Sequence, residues 1–383
     1  MTTPRDCVPL DGDWRLALDP EDAGLSQRWF DSDAPEGALE VRVPAVWDRW
    51  APDYDGVGWY FKTFEAPGEW AGRHVELQFD AVDYYAEAWL NGVRLGDHEG
   101  GYTPFSFNIA ALLCPGANRL AVRVIDPHGP EGFGPFRRKE IPCSKEETYF
   151  TFAGIWGSVR LEAKPRIHIE DLFVQPDPRK SCVRVEVTAS GGGAVFLEIE
   201  GTPFHAQGAP GELTIDFPGF EFWSPESPTL YTLHARLSQP DGSFDEMRVR
   251  FGMRDFTVKD GRFQLNNHPY FVKAVLHQPD YPRSLAGPES EEFARREIAL
   301  AKEAGFNMMR LHIKTAPTIT LELADEMGML LYEEPPIGWI RHSEQMQQRC
   351  ENEVREMILR DRNHVSVAIW GMINETGNAD YVT

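Results

Sequence analysis

The chain has 383 residues, 42% of them hydrophobic, and a formal charge of −22 from 38 Lys and Arg against 60 Asp and Glu. That balance argues against nucleic acid and anionic membrane as partners, and the apolar share excludes a disordered polymer. The length allows two or three domains with sizeable cores.

Residues 1–163 read as an all-β domain. Residues 75–79 alternate with the period of two expected of a half-buried strand. Residues 86–90 and 93–95 flank Asn91-Gly92. Asn-Gly between two apolar segments predicts a hairpin, because both turn positions need positive φ. Residues 120–125 add another strand. Many short strands separated by Gly and Pro predict a β-sandwich. Trp14, Trp29, Trp47, Trp50, Trp59 and Trp89 crowd this segment and are expected in its core rather than on a binding surface.

Strand patterning restarts after Lys164-Pro165. Residues 183–187, 195–199, 213–217, 230–233 and 247–251 read as strands with polar turns between them. Residues 164–255 therefore fit an immunoglobulin-like sandwich.

From 256 to 383 the pattern becomes strand–helix alternation. Strands are expected over 271–276, 306–311, 329–332 and 365–372, and helices over 289–304, 318–327 and 345–360. Gly305 and Gly328 punctuate two helix-to-strand joints in the same way, as helix stops. This spacing predicts parallel βα units. An eight-stranded barrel takes about 250 residues, and only about half that length follows residue 255, so four strands of an incomplete (β/α)₈ barrel are expected.

The last of these strands carries the functional signal. Residues 365–372 are almost unbroken in apolar character and read as a strand buried on both faces. Asn374 and Glu375 come just after it, where barrel enzymes keep catalytic groups. No Gly-x-Ser-x-Gly elbow, P-loop or His-Glu-x-x-His motif competes with that reading. No segment of 18 apolar residues suggests a membrane span, and residues 1–10 lack a signal-peptide core. Cys7, Cys114, Cys143, Cys182 and Cys350 are scattered without a Cys-x-x-Cys pair. Free thiols in a cytoplasmic setting are expected.

Several motifs, in order, resemble glycoside hydrolase family 2, the family of β-galactosidases, β-glucuronidases and β-mannosidases. In the first segment they are Gly58-Trp-Tyr60, Val82-Asp83, Trp89-Leu-Asn-Gly92, His98-Glu-Gly-Gly-Tyr-Thr-Pro-Phe105 and Ala153-Gly-Ile-Trp-Gly-Ser-Val-Arg160. The second has Trp223-Ser-Pro225, Leu230-Tyr231 and Phe251-Gly-Met-Arg254; the third has Arg360-Asp-Arg-Asn-His364 and Trp370 through Asn374-Glu375. The resemblance implies a jelly-roll, galactose-binding-like sugar-binding domain, an immunoglobulin-like domain and a catalytic TIM barrel. It implies hydrolysis of a β-linked saccharide or glycoside with retention, by two carboxyl groups ~5–5.5 Å apart.

Within that resemblance Glu375 matches the general acid/base, whose pKa must be raised by burial or a neighbouring charge. Asn374 matches the residue that binds the sugar 2-hydroxyl. Arg310 matches a buried cation that steadies the carboxylates. His312 is displaced by one position from the family's Arg-x-Ser-His-Tyr-Pro, and a packed core histidine is an equal reading. His277 and Asp280, in the loop after the first barrel strand, are candidates for substrate contact. One of Glu333 and Glu334 should face the barrel mouth, either at the sugar or in an ion pair with Arg310 or Arg341. Thr148 stands where galactosidases and glucuronidases often place an Asp, which weakens those two specificities.

No cofactor and no metal are expected. Some galactosidases of the family bind magnesium and sodium, but those ligands find no match here, and His277, Asp280 and His312 make only a weak metal set. The family's nucleophile is a Glu several tens of residues beyond the acid/base, and Asp380 alone follows Glu375 among the acids. The expectation is a fragment with one of two carboxylates, inactive alone and with an apolar edge at its fourth strand. A non-catalytic carbohydrate-binding protein or a structural subunit with a vestigial barrel are the alternatives, and a homo-oligomer is left open.

Overall fold

The computed structural model describes residues 5–127, 132–137, 140–143, 151–341 and 343–375. Its first unit is a sandwich of two antiparallel sheets. One sheet orders Asp6–Pro9, Val159–Lys164, His74–Phe79 and Phe105–Asn108. The other orders Leu39–Val43, Gly12–Leu18, Gly56–Glu65, Ala117–Asp126, Tyr85–Leu90 and Val93–Glu99. Between them lies a core that includes Trp14, Trp47, Tyr60, Leu77 and Val122. A second apolar cluster, with Trp59, Trp89, Ile125 and Phe136, covers the outer face of the larger sheet. Four of the six tryptophans singled out above are thus buried, and Trp29 and Trp50 pack partly against these clusters. Asn91 and Gly92 turn at φ 52° and 81°, as the hairpin signal requires.

Seven strands form the second unit. A sheet of Ile169–Asp177, Cys182–Ala189 and Gly211–Asp216 faces a sheet of His205–Gly208, Ala194–Ile199, Tyr231–Ser238 and Phe244–Phe251. Alternating residues such as Val185, Leu197, Ile215 and Leu233 fill the space between. Fully buried Asp245 ties this unit to the first: it accepts from Arg5 Nη2 at 2.7 Å and from the Ile169 amide at 2.8 Å.

A small sheet of Phe256–Lys259, Arg262–Leu265 and His268–Pro269 opens the third unit. It is absent from the expectations above, although Asp260-Gly261 and Asn266-Asn267, all at positive φ, mark its two turns. Four parallel strands follow in sequence order: Ala274–His277, Met308–Leu311, Leu330–Glu333 and Val367–Trp370, here barrel strands one to four. Helices α1 (Glu291–Glu303), α2 (Thr318–Met327) and α3 (Met346–Asp361) connect them. Ser290 caps α1 by accepting from the Phe293 amide, and Gly305 and Gly328 take φ 87° and 72° just beyond α1 and α2.

Strand four departs from expectation. It is shorter than the apolar run, and Ala368, Ile369 and Trp370 are only half-buried. Among the described residues it lies at the edge of the four-stranded sheet, with a neighbouring strand on one side.

Helix α3 and the segment after it lock the three units together. Arg349, Glu353, Glu356 and Arg360 recur at the spacing of one helix face. That face meets residues 98–103 of the first unit. Glu356 pairs with His98 at 3.2 Å and accepts from Thr103, Arg349 binds Glu99, and Arg360 Nη1 donates to the Tyr102 carbonyl at 3.0 Å. Gly100 sits at φ 123°, a conformation that favours glycine, and a Cβ there would lie 2.5 Å from Glu353 Oε1, so the Glu353 carboxylate would have to shift. Arg362 then pairs with Asp171 and lies 4.3 Å over the Phe173 ring. Asn363 bonds the exposed edge of the second unit as a strand would: its Oδ1 accepts from the Val174 amide at 2.9 Å, and its Nδ2 donates to the Leu172 carbonyl at 2.9 Å. His364 meets Asp325 of α2 at 2.7 Å. The Arg360–His364 motif is therefore an interdomain clamp that fixes where strand four begins.

Candidate active site

Register decides which barrel side chains meet. Leu276, Arg310, Tyr332 and Ile369 lie in one row across the sheet, and His277, Leu311, Glu333 and Trp370 in the next. Side chains alternate along a strand, so neighbouring rows face opposite ways. Leu311 and Trp370 pack with Ala294, Ile298 and Leu321 of the helical layer. The row of His277 thus faces the helices, and the row of Arg310 faces the barrel axis.

On the axial side Arg310 organises a cluster. Its Nε and Nη2 donate to Glu334 Oε1 at 3.1 and 2.8 Å, and Nη2 also donates to Asn374 Oδ1 at 2.9 Å. The guanidinium lies 5.4 Å from the centre of the Tyr332 ring. His312 Nδ1 is 3.5 Å from Glu334 Oε2. Glu334 is fully buried, a position a carboxylate holds only when a cation sits on it. Of the two adjacent acids, Glu334 is the one that faces the axis, paired with Arg310 rather than with Arg341.

Glu333 points the other way. Its Oε1 accepts from the Ala316 amide at 3.1 Å and lies 3.8 Å from Arg360, beside Asp361. Burial, then the charge of Asp361, pushes its carboxyl well above the usual range. A raised folded-state pKa stabilises the fold below the unfolded value of about 4.5, and this contribution falls as pH rises toward the folded pKa. Glu333→Gln should therefore remove a decline in unfolding free energy above pH ~4.5, of at most about 1.4 kcal/mol per pH unit. Urea titrations of both proteins from pH 5 to 9 measure it, and parallel curves would contradict it.

Asn374 and Glu375 close the cluster from strand four. The Asn374 amide donates to the Ile337 carbonyl at 2.9 Å, and Gly338 bridges Asn374, which stitches the loop after strand three to the end of strand four. Trp339 Nε1 donates to Glu375 Oε2 at 2.7 Å. Ile313, Trp339 and Glu375 sit at φ 40°, 55° and 47°. Left-handed backbone at non-glycine residues costs of order 1–3 kcal/mol each and gathers at functional sites. The Glu375 carboxyl is exposed, so the burial expected of a proton donor is not supplied by the described residues.

The remaining candidates lie elsewhere. His277 Nε2 is 3.1 Å from Glu297 of α1, which also accepts from Tyr281 at 3.2 Å. Asp280 accepts from Lys314 Nζ at 3.1 Å, and Lys314 lies 5.2 Å over the ring of Phe152 from the first unit. The weak metal set of His277, Asp280 and His312 is thus divided among Glu297, Lys314 and Glu334. Trp339, Lys314 and Tyr332 were given no role from the sequence; only their places just beyond or within barrel strands could have flagged them. Thr148 and Asp380 lie outside the described residues.

The chain matches three family descriptions in order. These are the glycosyl hydrolases family 2 sugar binding domain over residues 8–165, glycosyl hydrolases family 2 over 167–254, and its TIM barrel domain over 256–383. The chain belongs to glycosyl hydrolase family 2. Among curated members, a β-glucuronidase of Paenibacillus borealis is 25% identical over 98% of this chain and 68% of its own length. A β-galactosidase of Thermoanaerobacter pseudethanolicus is 28% identical over 85% of this chain, which spans 45% of that relative. The solved β-glucuronidase of Ruminococcus gnavus shares the fold, with a TM-score of 0.87, 23% identity, and coverage of 99% of this chain and 69% of that one. This family 2 chain therefore has the β-sandwich, immunoglobulin-like and TIM-barrel order that its motifs imply. Among the described residues no helix is long and apolar enough to cross a membrane.

Proposed function

We propose that this chain is the part of a retaining β-glycoside hydrolase that carries the general acid/base, Glu375, with Asn374 and Arg310 as substrate-orienting groups. The supporting observation is the Arg310 bridge between buried Glu334 and Asn374, which anchors the segment leading to Glu375 at the C-terminal end of strand four. In this reading Glu375 protonates the glycosidic oxygen while a second carboxylate attacks the anomeric carbon. Arg310 fixes the Asn374 amide through Oδ1, so that its Nδ2 serves as donor to a sugar 2-hydroxyl. That bond tightens as charge develops at the anomeric centre and lowers the barrier. His312 supports Glu334, whereas His277 and Asp280 act through the loop that carries them. The division at residues 163/164 and 255/256 belongs to the same reading, and five free thiols fit a cytoplasmic setting.

The substrate is a β-linked saccharide or aryl β-glycoside, a reading that the names of the relatives support. The other described acids at the ends of the barrel strands are each engaged by a partner, which supports the reading that the nucleophile is not among them. Glu334 is buried under Arg310, Glu333 faces the helices, and Asp280 is held by Lys314. Purified 1–383 is accordingly expected to show no turnover. The assay is nitrophenol release from a panel of nitrophenyl β-glycosides, and release above the rate of a Glu375→Gln control would overturn the incompleteness.

A further inference from the structure

Far from the barrel, where the first unit meets the second, three side chains of metal-ligating type converge. His74 and Glu76 are two residues apart on the strand His74–Phe79 and share one face. His168 comes immediately before the strand Ile169–Asp177, the first of the second unit. One ligand atom from each lies within 4.8 Å of the other two, and the two imidazole centres are 4.5 Å apart. We propose that His74, Glu76 and His168 form a binding site for a divalent transition metal, with Zn²⁺ as the fitting ion.

The surroundings of each residue favour the ligand form. His168 Nδ1 is 3.0 Å from the Pro165 carbonyl, which can only accept. The ring hydrogen therefore sits on Nδ1 and Nε2 keeps its lone pair, the arrangement that orients histidine ligands. Burial, then the neighbouring His74, lowers the His168 pKa, which keeps that ring neutral. Glu76 is ionised: burial opposes it, but hydrogen bonds from Lys164 and Gln78 bring its carboxyl down to about 2. Those two donors hold Oε2 at 2.7 and 3.0 Å and leave Oε1 toward His74.

His74 needs one adjustment. Asn108 Nδ2 lies 3.3 Å from its Nδ1 while Asn108 Oδ1 accepts from the Ala110 amide, so the hydrogen of His74 sits on Nε2 and donates to Glu76 Oε1 at 2.8 Å. Metal takes the place of that hydrogen. The hydrogen moves to Nδ1, and Asn108, exposed at the end of its strand, turns its carbonyl to receive it. No net proton is released by this exchange.

Bond lengths of 2.0–2.2 Å put tetrahedral ligand atoms roughly 3.5 Å apart, within reach of side-chain rotation, and leave a fourth position for water. Two imidazoles select zinc-like ions over magnesium or calcium. The Lys164 ammonium beside Glu76 opposes the ion and limits its affinity. Because the ligands come from both units, a bound ion braces their junction.

The test is calorimetric titration of the full chain with ZnCl₂ after chelator treatment, alongside His168→Gln and Asn108→Asp. One equivalent should bind; His168→Gln should weaken it by about tenfold or more, and Asn108→Asp, which stabilises the Nδ1–H form, should strengthen it roughly tenfold. Circular dichroism melts check that both variants fold, and Asn108→Asp changes only an exposed side chain. No zinc binding, or binding that neither substitution alters, overturns the site.

Discussion

In an assembly of this chain that hydrolyses β-glycosides, Glu375→Gln lowers kcat/KM for alkyl and other poor-leaving-group glycosides by roughly 10²–10⁴. Dinitrophenyl glycosides lose far less. The asymmetry follows from what a proton donor does. A departing alkoxide cannot leave without a proton, whereas a dinitrophenolate is stable as an anion. Glutamine preserves the shape of the side chain and can still accept from Trp339 Nε1 through its amide oxygen. Only the transferable proton is removed. The measurement is kcat/KM against leaving-group pKa for both proteins, and equal losses across the series would remove Glu375 from the acid/base role.

Arg360→Met should cost about 3–5 kcal/mol of stability, the range for removing one partner of a buried ion pair. Arg360 donates to both oxygens of fully buried Asp361, at 2.6 and 2.7 Å, and lies 3.8 Å from fully buried Glu333. It also bonds the carbonyls of Ala316 and Tyr102, so its loss strands a buried carboxylate and loosens the first unit's hold on the barrel. Methionine keeps most of the apolar stem, which separates lost charge from lost packing. Urea-induced unfolding followed by tryptophan fluorescence gives the difference. A change below about 1 kcal/mol would mean that the acids are neutralised without Arg360, as an exposed pair would allow.

Legibility varied with the kind of signal. Helix α2 is visible to the residue, because Gly328 in the left-handed region ends it whatever packs around it. The Asn91-Gly92 hairpin is equally local. Strand four was over-read: an apolar run reports hydrophobicity, but half-burial of Ala368 to Trp370 depends on how many neighbours the sheet provides. Arg310 and Asn374 were singled out only through the family resemblance, and the hydrogen bond between them was not anticipated. The clamp at Arg360–His364 and the metal-ligating trio were not anticipated at all. Their members are separated by up to some 260 and 90 residues respectively, and no periodicity links them.

What the sequence determined by itself was the succession of three units, the turn and helix-end positions, and the placing of Asn374 and Glu375 just after a barrel strand. These rest on short-range physics: the periods of strand and helix, the φ demands of glycine and asparagine, and apolar patterning. Tertiary structure alone decided that Glu334 turns to Arg310 while Glu333 turns to Asp361 and Arg360, and that His277 faces α1 rather than the cluster. A register of one residue separates those outcomes, and register is set by the pairing of whole strands and the packing of helices behind them.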